Sequence, residues 1–112
     1  MDNKELQELA AQLQLQNQQI QTLMIQKQTL EIQIREIDSA LMELKKNEST
    51  EIFKTLGPVL IKTDKNDIEK SLEEQKEEAE LRIKTIEKQE SIVKKRMESN
   101  QKSLKSMLPD NG

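Results

Sequence analysis

Apolar residues in the first half of the chain recur at alternating steps of three and four. Leu6, Leu9, Leu13, Ile20, Leu23, Leu30, Ile34, Ile37, Leu41 and Leu44 fill ten of twelve a and d positions in one unbroken heptad frame. Gln16 and Lys27 hold the other two. A seam kept this long predicts a coiled coil rather than a helix of a compact core. Polar residues inside such a seam fix register or partner number, at some cost in stability. Neither glycine nor proline interrupts residues 1–56.

The second half repeats the pattern more weakly. Leu72, Lys76, Ala79, Ile83, Ile86, Glu90, Val93, Met97, Asn100, Leu104 and Met107 again alternate four and three, with eight of eleven apolar. Asp64 is the expected N-cap, with Asp67 in an acidic first turn. Pro109 and Gly112 mark the expected stop. Pairs at i,i+4 support the outer face: Glu31 with Arg35, Glu80 with Lys84, Glu90 with Lys94.

Between the halves stands Gly57-Pro58, which forbids one continuous helix, since an internal proline costs about 3 kcal/mol. Ile52, Phe53, Lys54, Thr55 and Leu56 precede it; Val59, Leu60, Ile61, Lys62 and Thr63 follow. Apolar and β-branched flanks around a turn signal predict a β-hairpin. The expected organisation is one all-α dominated domain over 1–112. It has a helix over 1–50, a hairpin over 51–63, a helix over 64–108 and a tail over 109–112. Each helix would run roughly 65–70 Å, matched lengths that suit an antiparallel two-helix coiled coil. A lone two-stranded hairpin is marginal in water, and its apolar edges invite pairing. It is therefore expected to join strands of other subunits, in an oligomer.

Composition agrees with a fibrous helix. Of 112 residues, 35 % are charged and one, Phe53, is aromatic, which leaves too little bulk for a compact core. A net charge of −3 with interspersed signs argues against nucleic-acid or anionic-membrane binding. Lys94, Lys95, Arg96, Lys102 and Lys105 make a local basic cluster, but Glu90 and Glu98 interrupt it and no stacking aromatic accompanies it. No run approaches a membrane span, and residues 1–8 lack the apolar stretch of a signal peptide. A soluble intracellular protein is expected.

Catalytic chemistry has little to work with. There is no histidine, cysteine, tyrosine or tryptophan, and only Gly57 and Gly112 among glycines. That removes the usual nucleophile–base pairs, the commonest metal ligands and any glycine-rich phosphate loop. The acidic run Glu73, Glu74, Glu77, Glu78 and Glu80 reads as a solvated helix face rather than a cation site. No enzyme, cofactor or metal is expected. Heptads alone fit a structural scaffold or spacer binding a fixed partner; the apolar hairpin is the feature such a rod does not need.

Three stretches carry a resemblance. They are residues 26–31 (QKQTLE), the hairpin 53–63 (FKTLGPVLIKT) and residues 81–90 (LRIKTIEKQE), in that order along nearly the whole chain. Together they resemble the beta subunits of prefoldin in their archaeal form. The hairpin pattern K-x-x-G-x-x-L-I-K, set once between two matched helices, is the specific element. The resemblance implies a chaperone subunit of an alpha2 beta4 hexamer, built with prefoldin alpha subunits and further beta subunits, in the cytoplasm. The hairpins would close a β-barrel through Ile52, Phe53, Leu56, Val59, Leu60 and Ile61. Non-native polypeptides would be held, without ATP, at coil tips formed by Leu6, Leu9, Leu13, Leu104, Met107 and Leu108. They would then pass to a group II chaperonin. Phe53 stands where the family leads one to expect tyrosine, which keeps the packing and drops a hydroxyl. The short tail past Leu108 implies a smaller tip surface.

Overall fold

The computed structural model describes residues 3–49 and 51–108. The elements in order are helix α1 (Asn3–Lys46), strands β1 (Glu51–Leu56) and β2 (Val59–Asp64), and helix α2 (Lys65–Met107). The expected stop at Pro109 and Gly112 lies outside the described residues.

Helix α1 ends at Lys46, short of the expected residue 50, for a local reason. Asn47 N still donates to Glu43 O at 3.2 Å, the last helical bond. Asn47 Oδ1 then accepts from Ser49 N at 3.0 Å, and Ser49 Oγ accepts from Glu51 N at 3.2 Å. These short polar side chains offer the backbone an alternative to further helix. At the other end of the hairpin Asp64 Oδ1 accepts from Asn66 N at 3.4 Å, the bond of an N-cap. Lys65 Nζ donates to Asn47 O at 2.8 Å, so the start of α2 is tied to the end of α1.

The strands pair antiparallel from Glu51 opposite Asp64 to Leu56 opposite Val59. Only Gly57 and Pro58 remain in the loop. Gly57 takes φ +59°, the left-handed region, as a two-residue turn led by glycine requires. A Cβ there would meet nothing within 4 Å, so its cost is purely conformational. Gly57→Ala is expected to destabilise the hairpin by about 1–2 kcal/mol, and Gly57→Asn by less, because asparagine tolerates this region. Amide exchange at Lys54 and Ile61, which face each other as a hydrogen-bonded pair two residues from the turn, measures it; equal protection in the parent and Gly57→Ala would contradict the turn assignment.

The described chain divides into two compact units, residues 29–83 and residues 3–28 with 84–108. In the first, Ile37 and Ala79 are buried between the two helical segments, at 5 % and 3 % exposure. Lys76 Nζ lies 2.7 Å from Asp38 Oδ1 across the seam. That hydrogen bond, with the negative charges of Asp38, Glu80 and Glu73, holds the Lys76 pKa above its ordinary 10.5. Ile68 is half-buried, which carries the α2 seam one turn beyond Leu72.

In the second unit, Ile20 and Ile86 are buried. Lys27 Nζ reaches Glu87 Oε2 at 3.6 Å, and Asn100 Nδ2 donates to Gln16 Oε1 at 3.2 Å. Higher numbers on α1 meet lower numbers on α2, so the segments run antiparallel. All twenty-three a and d positions of the two frames are buried or half-buried. The polar members are each satisfied: Gln16 with Asn100, Lys27 with Glu87, Lys76 with Asp38, and Glu90 with Lys94 at 3.9 Å. The three pairs that cross the seam, Gln16–Asn100, Lys27–Glu87 and Lys76–Asp38, favour this register because a slip would part them, whereas Glu90–Lys94 lies within α2.

Replacing Gln16 and Asn100 together with leucine is expected to raise the thermal midpoint, since each apolar side chain recovers about 1 kcal/mol at a half-buried seam site. It should also loosen partner choice at high concentration. Gln16→Leu alone leaves Asn100 only its 3.5 Å contact with Gln12, and so gains less. A thermal melt followed by circular dichroism checks this, and a lower midpoint in the double variant contradicts it.

Surface pairs are fewer than the spacing suggested. Glu90–Lys94 forms, as does Glu78–Arg82 at 3.6 Å, whereas Glu31–Arg35 and Glu80–Lys84 do not close within 4 Å. Exposed pairs gain little Coulomb energy in water and lose side-chain entropy, so spacing alone does not make them.

Candidate functional site

The hairpin concentrates exposed apolar surface. Its register puts Glu51, Phe53, Thr55, Leu60, Lys62 and Asp64 on one face. Ile52, Lys54, Leu56, Val59, Ile61 and Thr63 share the other. Phe53, Leu56, Val59, Leu60 and Ile61 are between 43 % and 67 % exposed. Ile52, with Thr63 opposite it, is half-buried at the base of the second face. On the first face Lys62 Nζ pairs with Glu51 Oε1 at 3.0 Å, which leaves Phe53 and Leu60 as its apolar residues.

Both strands are edges, since the sheet has only two. Each presents unpaired N–H and C=O groups outward beside large apolar side chains. Such an edge templates pairing with further strands. The structure thus brings the six hairpin residues into one small two-faced sheet, with five of them open to solvent.

The residues expected at the coil end behave differently. Leu6, Leu9 and Leu13 on α1, and Leu104 and Met107 on α2, are half-buried seam residues; Leu108, just past the helix, is half exposed. Buried side chains stop at Ile20 on α1 and Ile86 on α2. Between them and the chain ends lies the polar layer of Gln12, Gln16 and Asn100. The seam therefore thins toward the termini.

Heptad reading missed apolar residues outside the frame. Leu15, Met24, Ile25, Ile32, Met42, Leu81 and Ile92 stand exposed on the outer helix faces. Their signal was present: each is apolar at an outer position of an otherwise polar surface. No helix among the described residues is long and apolar enough to cross a membrane.

Comparison with known proteins points one way. The family model described as "Prefoldin subunit" matches residues 7–111. A prefoldin subunit beta of Archaeoglobus fulgidus is 38 % identical over 105 residues, covering 93 % of this chain and 90 % of the relative. One of Saccharolobus islandicus is 40 % identical over 105 residues, with 93 % and 83 % covered. Among solved structures, the crystal structure of the prefoldin beta subunit from Thermococcus strain KS-1 superposes with a TM-score of 0.86. That match has 27 % identity and covers 95 % of this chain and 94 % of the other. With two long helices around one exposed antiparallel hairpin, and relatives matched over nearly their whole length, the chain belongs to the prefoldin subunit family of chaperones.

Proposed function

We propose that this chain is the beta-type subunit of an ATP-independent holdase, an alpha2 beta4 hexamer in the cytoplasm that captures non-native polypeptides and passes them to a group II chaperonin. The observation that carries the reading is the hairpin. Five large apolar side chains lie open on a sheet with two free edges. Burying each would recover roughly 1.5–3 kcal/mol, which one isolated hairpin cannot realise. Hairpins of alpha and further beta subunits would complete the sheet as a barrel. Several coil ends would then project from one body.

Clients are held near both termini, by Leu6, Leu9, Leu13, Leu104, Met107 and Leu108. Terminal turns lack half their partners, so opening one costs little and presents apolar surface. Methionine adapts to irregular apolar partners. Each end contributes weakly, and several ends on one particle raise the effective concentration of the rest. With no glycine-rich phosphate loop in the sequence, holding draws on binding energy alone.

The test is suppression of aggregation. The particle, mixed at stoichiometric amounts with a chemically unfolded model protein on dilution, is expected to keep light scattering low without nucleotide. It should release the client when a group II chaperonin is added. Scattering that rises as fast as in the client alone would overturn the reading in favour of a structural rod.

A further inference from the structure

One flank of the coil in the unit formed by residues 3–28 and 84–108 carries a groove of about 640 Å³. Leu23 and Val93, both half-buried, form its floor, and Leu15 and Ile92 stand on its two walls, 56 % and 51 % exposed. The seam is complete without Leu15 and Ile92. In the frames of their helices each lies just outside the flanking positions on this same side, so the pair widens the apolar floor into a channel.

The two walls differ in charge. From Leu9 to Gln26 the α1 wall has eighteen consecutive residues with no charge, in a chain that is 35 % charged. The rim it gives the groove includes Gln19 and Gln26, which are neutral. On α2, Arg96 lines the groove, and exposed Lys88 and Lys95 lie one turn to either side of Ile92. None of these three cations has an ion-pair partner among the described residues. The nearby carboxylate of Glu90 is engaged by Lys94. The groove thus joins an apolar floor, a neutral wall and a basic wall of unpaired charges.

We propose that this groove is a docking site for a partner protein's amphipathic helix, one with an apolar face and an acidic edge. The groove spans residues 15–26 of α1, about 17 Å or three helical turns. Four anchors at i, i+4, i+7 and i+11 would fit that length, the pattern of helix-in-groove recognition. Carboxylates along one edge would meet Lys88, Lys95 and Arg96, and would fix the direction in which the helix lies. A second copy of this chain does not supply such a helix. Its acidic stretch, Asp67 to Glu80, has Ile68, Leu72 and Ala79 committed to its own seam. The coil's other unit would take the same partner less well, because its groove beside Met42 is lined by four carboxylates, Asp38, Glu73, Glu77 and Glu80, against two cations, Lys45 and Lys76.

The proposal stands apart from the holding of clients at the coil ends, and its failure leaves that reading intact. The probe is a fluorescent peptide of about three turns with leucine at the four anchors and glutamate along one edge. A matched peptide carries lysine in place of glutamate. The full-length chain is expected to bind the acidic peptide, more weakly as salt rises, and to prefer it at least about tenfold over the basic one. The combined Lys88→Glu, Lys95→Glu and Arg96→Glu variant should reverse that preference. Leu15→Gln with Ile92→Gln should remove binding of both peptides. All five positions are exposed, and unchanged far-UV dichroism would show that the coil persists. Equal binding of the two peptides by the parent, or a preference that survives charge reversal, would overturn the proposal. So would a proline-interrupted, non-helical version of the acidic peptide that binds as well as the helical one, since that assigns the groove to extended client chains.

Discussion

Leu60→Asp or Ile61→Asp is expected to break the assembled particle into monomers or small species, while far-UV helix content stays near that of the parent. The two positions sample opposite faces of the hairpin. Leu60 sits beside Phe53 on one, Ile61 beside Leu56 and Val59 on the other. In the isolated chain both are exposed, so a carboxylate there costs little. In an assembly that covers the faces, the same carboxylate must lose its water without a partner, a penalty of several kcal/mol per site. In the proposed hexamer all four beta copies would carry the change, so the penalty would repeat at each interface they form. Helix content should survive because each seam is closed within its own chain, by Ile37 with Ala79 in one unit and Ile20 with Ile86 in the other. Ser39→Asp, on the exposed face of α1, controls for added charge and should leave the particle whole. Light scattering coupled to sizing measures the mass. An unchanged mass in both hairpin variants would sink the barrel.

The seam could be read from the sequence because one physical rule governs it. A long helix buries only the stripe that faces its partner, so the stripe repeats at 3.5 residues and leaves its period in the chain. The hairpin was legible for another reason. Glycine followed by proline between two apolar, β-branched runs admits few conformations, and the observed positive φ at Gly57 is among them. What the sequence left open depends on side chains meeting across the seam. Gln16 and Lys27 were visible as exceptions to the stripe. Their partners Asn100 and Glu87 follow only from the stagger of two antiparallel segments. The end of α1 was displaced for a similar reason: Asn47 and Ser49 close local turns whose energy is close to that of one more helical turn. The groove between Leu15 and Ile92 joins residues from two helices at outer positions, which a heptad frame treats as solvent-facing.

Deleting residues 1–9 together with residues 104–112 is expected to leave the particle size nearly unchanged and to remove most of the holding activity. The two effects separate because they belong to different parts of the chain. Assembly would rest on Phe53, Leu56, Val59, Leu60 and Ile61, none of which the deletion touches. The remaining coil keeps all four buried side chains, Ile20, Ile37, Ala79 and Ile86, and the pairs Lys27–Glu87 and Lys76–Asp38. It also keeps Asn100 with its bonds to Gln16 and Gln12, which become the last ties before the new end. Five of the six proposed tip residues are lost, Leu6, Leu9, Leu104, Met107 and Leu108, and Leu13 stays. These side chains contribute least to stability, since helix ends lack half their neighbours and open at low cost. They would contribute most to capture, because several such ends act together on one client and each loss is multiplied across the particle. The amount of particle needed to halve client aggregation should therefore rise at least about tenfold. If these residues merely finish the seam, the shortened particle melts slightly earlier and protects as well as the parent. That outcome would move the holding surface off the coil ends, to the inner faces beneath the barrel.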